Sequence, residues 1–153
     1  MSVVAIQGVQ LAPKKVIADH RGAVLHFLRS DDAAFTTFGE VYFSETLPGV
    51  FKAWKRHRRM TQRFVVPRGR VRFVLHDSRS GSPSKGRTEE VVLGRPDDYA
   101  LLVIPPMIWY GFAAIGDQPA LIANCSDVPH DPSESESRAT DDEALPQNVW
   151  TRS

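Results

Sequence analysis

Short apolar segments bounded by turn-forming residues recur at intervals of about ten residues along this chain. They lie at 16–17, 22–28, 38–44, 50–57, 63–67, 70–77, 89–93, 100–104 and 120–125. Gly and Pro residues between short apolar segments are typical of turns between β-strands, and the regular spacing favours a sandwich or barrel. The pattern therefore predicts an all-β fold.

Segment 70–77 shows the clearest alternation of side chains. Its two faces carry Arg70, Arg72, Val74 and His76 on one side and Val71, Phe73, Leu75 and Asp77 on the other. Successive side chains of a strand point to opposite faces, so this segment is predicted to place one face on a core. Only 133–145, which follows Asp131 and Pro132, has the pattern of a short C-terminal helix.

The composition suits one domain of 153 residues and 17.1 kDa, with 42% hydrophobic residues. We expect a core over about 16–146 and a loose tail from Gln147 to Ser153, in which Trp150 is the residue able to dock. The single cysteine, Cys125, excludes an internal disulfide and is interpreted as a small core residue. The longest apolar run, 99–107, is too short to cross a membrane, and no signal-peptide pattern is present. A cytoplasmic location is expected.

The net charge is only +1, but basic and acidic residues are unequally distributed along the chain. Residues 1–95 carry 17 basic and 8 acidic side chains, whereas residues 96–153 carry 2 and 10. Nine of the cations lie between Lys52 and Arg72. They could bind a phosphorylated ligand, or the acidic C-terminal segment could fold back and neutralise them. The two interpretations are compatible. Nucleic acid is not expected as a partner, because no recognition helix or RNA-binding motif accompanies the basic segment.

Five motifs follow one another in a fixed order. They are GVFKAWKRH (49–57), PRG (67–69), HDSRSGSPSKG (76–86), LLVIPPMIWYGF (101–112) and DPSESE (131–136), preceded by D-x-R-G at 19–22. From 19 to 142 the chain thereby resembles the dTDP-4-dehydrorhamnose 3,5-epimerase family of cupin-fold proteins. The loop formed by Asp77, Arg79, Ser82, Pro83 and Gly86 is the most specific part of the resemblance, since several turn residues recur there at fixed spacing.

The resemblance implies a cupin-type jelly roll, a homodimer with exchanged N-terminal strands, and no metal or redox cofactor. It also implies a substrate that is a nucleotide-linked 4-keto-6-deoxy sugar, used in deoxysugar or surface-polysaccharide biosynthesis. The ketone of such a sugar acidifies the protons at C3 and C5. A base removes a proton from one face, cationic groups hold the enolate, and an acid returns a proton to the other face.

The resemblance puts Lys55 at the position of the family's base, a histidine in other members. Lys55 or, two residues later, His57 is therefore the predicted base. Asp141 and Asp142 lie in the region where the family has a carboxylate that orients the base. By strand parity Lys55 and His57 share one face and Lys52 lies on the other, so Lys52 and Lys55 line one pocket only if the strand bulges or Lys52 reaches around an edge.

The position of the family's acid, a tyrosine, holds Asn124. The predicted acid is therefore Tyr110, at a position where the family has a histidine, or His130, at an aromatic position of the family. The predicted substrate-binding residues are Arg21, Lys52, Gln62, Asn124 and Glu136. Of these, Arg21 corresponds to an arginine that the family uses across the dimer, and Gln62 replaces a lysine.

The altered catalytic positions leave other functions open. One alternative is a non-catalytic cupin that binds a nucleotide sugar or another phosphorylated metabolite as a sensor or subunit. Another is a cupin isomerase of different regiochemistry. His57, His76 and His130 are candidate metal ligands, but the metal-cupin cluster of two histidines followed by a glutamate is missing, and no metal is expected.

Overall fold

Hydrogen-bonded strands dominate the computed structural model, which describes residues 4–150. The strands in this range are β1 (Gln10–Pro13), β2 (Val16–Asp19), β3 (Gly22–Leu25), β4 (Glu40–Thr46), β5 (Phe51–His57), β6 (Gln62–Arg68), β7 (Arg70–Asp77), β8 (Thr88–Gly94), β9 (Ala100–Ile104), β10 (Ile108–Ala114), β11 (Ala120–Ser126) and β12 (Ser135–Ser137). One turn of 3₁₀ helix, Pro132–Glu134, precedes β12. The all-β prediction is confirmed.

Two five-stranded antiparallel sheets face each other across the main core. The first sheet has the order β1-β9-β6-β11-β4, and the second has the order β12-β5-β10-β7-β8. Phe64 from the first sheet packs on Phe73 and Phe112 from the second, with ring centroids 5.3 and 6.5 Å away. Strands β2 and β3 form a separate hairpin. Its residues and the loop after it pack on the outer face of the first sheet, where Val16, Leu25 and other apolar side chains cover β9.

Each of the nine predicted segments overlaps a strand, but β1, β10 and β12 were not predicted. The omission of β10 matters most, because β10 is the central strand of the second sheet. Six of its seven residues are buried, so the strand has no polar face and no alternation to reveal it. The Pro105–Pro106 pair separates it from β9.

The predicted helix over 133–145 is wrong. Asp131 caps a single 3₁₀ turn by accepting a hydrogen bond from the backbone N–H of Ser133, and Ser135 is already extended. From there the chain pairs with the edge of β5, which places Ser135 opposite His57 and Glu136 opposite Arg56. Backbone pairing with an available sheet edge outweighs a weak local preference for helix.

Both ends of the described chain are packed, which extends the core beyond the predicted 16–146. Ile6 belongs to the main core between the sheets. Val149 and Trp150 are buried with Trp54 and Trp109 on the outer face of the second sheet, where the predicted loose tail instead contributes to an apolar cluster. Residues 151–153 of that tail lie outside the described range.

The loop after β7 is organised by one buried carboxylate. Asp77 accepts hydrogen bonds from the Arg79 backbone N–H and side chain, and from the Ser82 and Ser84 hydroxyls at 2.6 Å. Ser84 and Arg79 in turn bind the backbone of Gln7, which ties the loop to the N-terminal segment. The hydrogen bond from Arg79, opposed by burial and reinforced by the serines, holds the pKa of Asp77 far below its ordinary value.

Replacement of this carboxylate is expected to destabilise the fold in a pH-dependent way. Asp77→Asn removes the charge that Arg79 faces and is expected to lower the free energy of unfolding by about 2 kcal/mol at pH 7. The folded-state pKa lies far below the unfolded-state value of about 3.9. The contribution of the charge is therefore complete above the unfolded-state value and is lost progressively as the pH falls from there to the folded-state pKa.

Urea unfolding at pH 7 and pH 3 measures this effect. The difference between wild type and Asp77→Asn should narrow by about 1 kcal/mol at pH 3. Asp117→Asn, in an exposed turn, is the matched control and should leave stability unchanged at both pH values. A difference between wild type and Asp77→Asn that is the same at pH 7 and pH 3 would contradict the prediction.

Candidate active site

A cavity of about 560 Å³ opens between the two sheets at the end where β4 faces β5. One wall carries the inward side chains of β4, and the opposite wall carries side chains of β5 and β10. The lining residues are Glu40, Tyr42, Ser44, Lys52, Ala53, Trp54, Lys55, His57, Met60, Phe64, Tyr110, Phe112, His130 and Ser137. Cations, phenols and imidazoles thus meet on an apolar floor.

A buried histidine–carboxylate pair lies at the base of the cavity. His57 is the last residue of β5, and its Nδ1 contacts the Glu134 Oε1. The side chain of Glu134 is 1% exposed and that of His57 8% exposed, so the pair is shielded from water. A hydrogen bond to a carboxylate fixes the orientation of the imidazole and places the proton on Nδ1.

The backbone also holds Glu134 in place. Its second oxygen accepts hydrogen bonds from the backbone N–H groups of Arg59 and Met60, at 3.1 and 3.2 Å. Its own carbonyl accepts from the Arg58 N–H at 2.7 Å. Burial alone would raise the pKa of Glu134, but the hydrogen bonds from His57 and the backbone outweigh it and keep the pKa below the ordinary value. Glu134 is therefore a carboxylate at neutral pH.

The second nitrogen of the imidazole faces the cavity side. His57 Nε2 lies 3.2 Å from the Tyr110 hydroxyl of β10, and the two rings stack with an interplanar angle of 14°. Burial lowers the pKa of His57, although Glu134 opposes the shift; burial also raises the pKa of Tyr110 well above its ordinary value. At neutral pH the imidazole is thus uncharged, and its Nε2 lone pair accepts the Tyr110 hydroxyl proton.

A bulge in β5 places both lysines on the cavity. Tyr110 pairs with Lys55 and Phe112 with Lys52, so three steps along β5 match two steps along β10. This is the bulge that the sequence required if Lys52 and Lys55 were to line one pocket. The bulged Ala53 lies against Gly111, where a Cβ would overlap the Ala53 Cβ.

The two lysines differ in their surroundings. Lys52 Nζ donates hydrogen bonds to the Glu45 carbonyl at 2.7 Å and the Ser44 hydroxyl at 3.1 Å, near the mouth. The Lys55 ammonium has no hydrogen bond or ion pair within residues 4–150, and its charge contributes to the lowered pKa of His57. Its ammonium is therefore available to a ligand in the cavity.

A second polar network lies beside Tyr42 on the inner face of the first sheet. Asn124 of β11 accepts a hydrogen bond from the Arg63 backbone N–H at 2.9 Å, while its amide group donates to the Gln62 Oε1 and, at 2.9 Å, to the Tyr42 hydroxyl. Gln62 and Asn124 are buried and do not line the cavity, whereas Tyr42 does.

The structure thus brings together five of the nine predicted site residues. Lys52, Lys55, His57, Tyr110 and His130 line the cavity. Gln62 and Asn124 lie next to Tyr42 and Phe64 on the inner face of the first sheet but do not line the cavity. Glu136 lies outside the lining and pairs with Arg56 and Arg58, and Arg21 is on the exposed β2–β3 turn, paired with Asp19.

Two residues of the site were missed. The expected orienting carboxylate at Asp141 or Asp142 is wrong, since Asp142 pairs with Arg138 and Glu134 contacts the histidine instead. Tyr42 was overlooked because its role depends on the strand beside it. The motif DPSESE at 131–136 was the available signal for Glu134, but the pairing of β12 with β5 decides which of its acids turns inward.

Part of the basic segment is neutralised by the acidic C-terminal region, as one of the two readings predicted. Arg56 and Arg58 pair with Glu136, and Arg59 pairs with Asp131. Arg56 also stacks on Trp109, with its guanidinium 4.5 Å from the ring centroid. Of these cations, none lines the cavity, so Lys52 and Lys55 supply its positive charge.

Comparison with known proteins agrees with this geometry. The model of a family described as dTDP-4-dehydrorhamnose 3,5-epimerase matches residues 3–150. This chain belongs to that family. The crystal structure of a dTDP sugar isomerase from Desulfovibrio desulfuricans superposes on it with a TM-score of 0.95 at 50% identity, covering 100% of this chain and 97% of that chain. The predicted family and its cupin-type jelly roll are confirmed.

Two further relatives of this chain are named for glycan or polysaccharide biosynthesis. A probable low-salt glycan biosynthesis epimerase from Haloferax volcanii is 37% identical over 121 residues, which cover 78% of this chain and 77% of the relative. The spore coat polysaccharide biosynthesis protein SpsL from Bacillus subtilis is 29% identical over 142 residues, which cover 92% and 93%.

The rest of the described chain offers few other kinds of site. Within residues 4–150, no three His, Cys, Asp or Glu side chains are grouped so as to hold a metal ion. Over the same range, no helix has the length and apolar character to span a membrane.

Loss of the Glu134 charge is expected to change the titration of His57. The carboxylate favours the protonated imidazole, so Glu134→Gln should lower the pKa of His57 further. In both proteins that pKa lies below the ordinary 6.5, so the contribution of His57 to stability is complete above about pH 6.5 and decreases as the pH falls towards the folded-state value.

Long-range ¹H–¹⁵N NMR spectra of the imidazoles measure this titration and the tautomer. His76, which contacts the Thr88 hydroxyl at 2.9 Å and is remote from Glu134, is the internal control and should titrate identically in both proteins. If the titration midpoint of His57 and its Nδ1–H tautomer are the same in Glu134→Gln as in wild type, the carboxylate does not control the protonation of the histidine.

Proposed function

We propose that this protein is an epimerase of nucleotide-linked 4-keto-6-deoxy sugars, of the dTDP-4-keto-6-deoxyhexose type, in deoxysugar or surface-polysaccharide biosynthesis. The observation that carries the proposal is the His57–Glu134 pair, whose unprotonated Nε2 stands beside the cavity. The family membership and the names of the glycan and polysaccharide relatives support the substrate class. The proposal includes the cytoplasmic location expected from the sequence.

In the proposed reaction His57 is the base. As the substrate binds, its C–H group replaces the Tyr110 hydroxyl at Nε2. Nε2 then takes the proton from the carbon next to the C4 ketone, and the electron pair moves to the ketone oxygen to form an enolate. The resulting imidazolium is stabilised by the Glu134 carboxylate, which keeps its charge at neutral pH. The burial that lowers the pKa of His57 keeps it ready to accept a proton.

Lys55 serves as a cation rather than as the base in this proposal. It lines the cavity, but no carboxylate orients it within residues 4–150, whereas His57 has one. A free ammonium beside the reacting carbon stabilises the enolate oxygen. Lys52, near the mouth, is suited to the diphosphate.

The base assignment is tested by hydrogen exchange with solvent. Wild-type protein in D₂O should introduce deuterium at C3 and C5 of dTDP-4-keto-6-deoxyglucose, as followed by proton NMR beside an enzyme-free control. His57→Asn should slow this exchange by about 100-fold to 10,000-fold, because the general base is lost. Lys55→Met should slow it by about 100-fold through loss of enolate stabilisation.

Lys55→Arg is the matched control, since it keeps the charge and removes a group able to act as a base. Retained exchange in Lys55→Arg supports the role as a cation. If Lys55→Arg loses exchange while His57→Asn keeps it, Lys55 is the base and the assignment to His57 is wrong. Wild-type protein that binds the nucleotide sugar without exchange would favour the non-catalytic cupin.

We further propose that the active form is a homodimer. Val41 and Phe43 alternate with the inward Tyr42 on the edge strand β4 and are exposed on its outer side, at 47% and 65%. Ile17 and Val24 of the β2–β3 hairpin are also exposed, at 57% and 60%. Large exposed apolar side chains beside an open sheet edge are suited to a second copy of the chain.

Introduction of a charge on this face is expected to separate the copies. Phe43→Glu should convert a dimer to a monomer in sedimentation-velocity experiments, because a buried carboxylate at the interface is costly. Ile115→Glu, which changes an exposed apolar side chain in the turn after β10, is the control and should remain dimeric. A monomeric wild type at micromolar concentrations would refute the dimer.

The dimer also gives Arg21 a role. Arg21 does not line the cavity of its own chain, yet its guanidinium projects from the exposed hairpin, with the side chain 78% exposed. In a dimer with exchanged N-terminal strands, this turn could reach the cavity of the second copy. Weaker dTDP binding is therefore expected in both Arg21→Ala and the monomeric Phe43→Glu.

A further inference from the structure

We propose that Tyr42 is the catalytic acid that returns the proton to the sugar from the wall opposite His57. This inference rests on the proposed epimerase function and extends it to a residue that neither the family motifs nor the sequence pattern indicates. The candidates from the sequence were Tyr110 and His130.

The hydrogen bonds of Asn124 determine the role of the Tyr42 hydroxyl. The Arg63 backbone N–H, 2.9 Å away, donates to the Asn124 Oδ1, which fixes the orientation of the amide. The amide nitrogen then faces the Gln62 Oε1 and the Tyr42 oxygen, and it donates to both. The Tyr42 oxygen is therefore an acceptor in this contact and keeps its own hydrogen for another partner.

That hydrogen has no acceptor within residues 4–150. Tyr42 lines the cavity, and the only hydrogen bond of its hydroxyl to this part of the chain is the one that it accepts from Asn124. Burial raises the pKa of Tyr42, with Asn124 opposing the shift, so the phenol remains protonated at neutral pH. A hydroxyl held by its oxygen, with its hydrogen free, is suited to donate a proton to a ligand in the cavity.

The two sheets place this donor and the base on different walls. Tyr42 is on β4 of the first sheet, whereas His57 is on β5 of the second sheet. Inversion at a carbon requires removal of the proton from one face and delivery to the other. Tyr110 is on the second sheet next to His57, and its hydroxyl donates to the base itself. Tyr110 thus belongs to the base side.

The proton balance of the step is complete. His57 Nε2 takes the C–H proton and the electron pair forms the enolate. As the C4 carbonyl re-forms, the carbon takes the hydroxyl proton of Tyr42 from the opposite face, which leaves a phenolate. The Asn124 N–H donor stabilises that phenolate. The imidazolium then loses its proton to water and the phenolate regains one, so no other reactant is consumed.

The test separates proton removal from inversion. In Tyr42→Phe, His57 still removes the proton and returns a deuteron from D₂O to the same face. Deuterium should therefore enter the substrate at a rate within about tenfold of wild type, while the epimerised product should form at least about 100-fold more slowly. Proton NMR reports both quantities in one sample. Thermal melting and dTDP binding confirm that the variant is folded.

Tyr110→Phe is the matched variant, since it removes the other phenol of the cavity. Because Tyr110 contacts the base, exchange and inversion should change together there. Wild-type inversion in Tyr42→Phe would overturn the role of Tyr42, and equal loss of exchange and inversion in that variant would do so as well. If wild type itself shows neither exchange nor inversion, the epimerase function fails, and this assignment fails with it.

Discussion

The contact between Glu134 and His57 joins residues 77 positions apart, and the rest of the site depends on it. A carboxylate that is almost fully buried must have partners, and Glu134 obtains them from the imidazole and from two backbone N–H groups after β5. The same contacts attach the 131–137 segment to the open edge of β5. These contacts thus help to cover the sheet edge and orient the imidazole of the histidine.

The two walls of the cavity have different physical characters. The second sheet supplies the imidazole and the two lysines, and the 3₁₀ turn before β12 supplies the carboxylate, so this side binds protons and negative charge. The first sheet supplies the carboxylate of Glu40 and the neutral phenol of Tyr42, which is held by the chain of side-chain hydrogen bonds from Gln62 through Asn124. Phe64 and Phe112 contribute to the apolar floor between them. An apolar boundary of this kind strengthens electrostatic interactions with a bound ligand.

The local pattern of the sequence was sufficient for most of the fold and for part of the site. Alternation and turn residues located nine of the strands, and strand parity put Lys55 and His57 on one face. These features depend on neighbouring residues. The exceptions depend on pairing between distant segments. Strand β10 has no alternation because it is buried on both faces, and part of 133–145 forms β12 because the edge of β5 was available.

The two missed site residues follow the same rule. Glu134 is one of several acids in the C-terminal region, and only its pairing with β5 selects it. Tyr42 becomes significant only through Asn124 on the adjacent strand, which stands directly opposite it. Counting along the family motifs located Asn124 but not the phenol beside it. Single-chain positions are therefore less informative here than the neighbours that a sheet creates.

The bulge in β5 has a consequence for how this strand can vary. Lys52 and Lys55 reach one wall because three residues of β5 occupy the space of two on β10. At this three-step spacing a regular strand would turn one lysine to the outer face, whereas removal of one residue between them would leave two steps and keep both lysines on the cavity without a bulge. The bulge and the three-residue spacing therefore depend on each other. Loss of the bulge without loss of a residue would move one of the two charges out of the cavity, even if every functional side chain were retained.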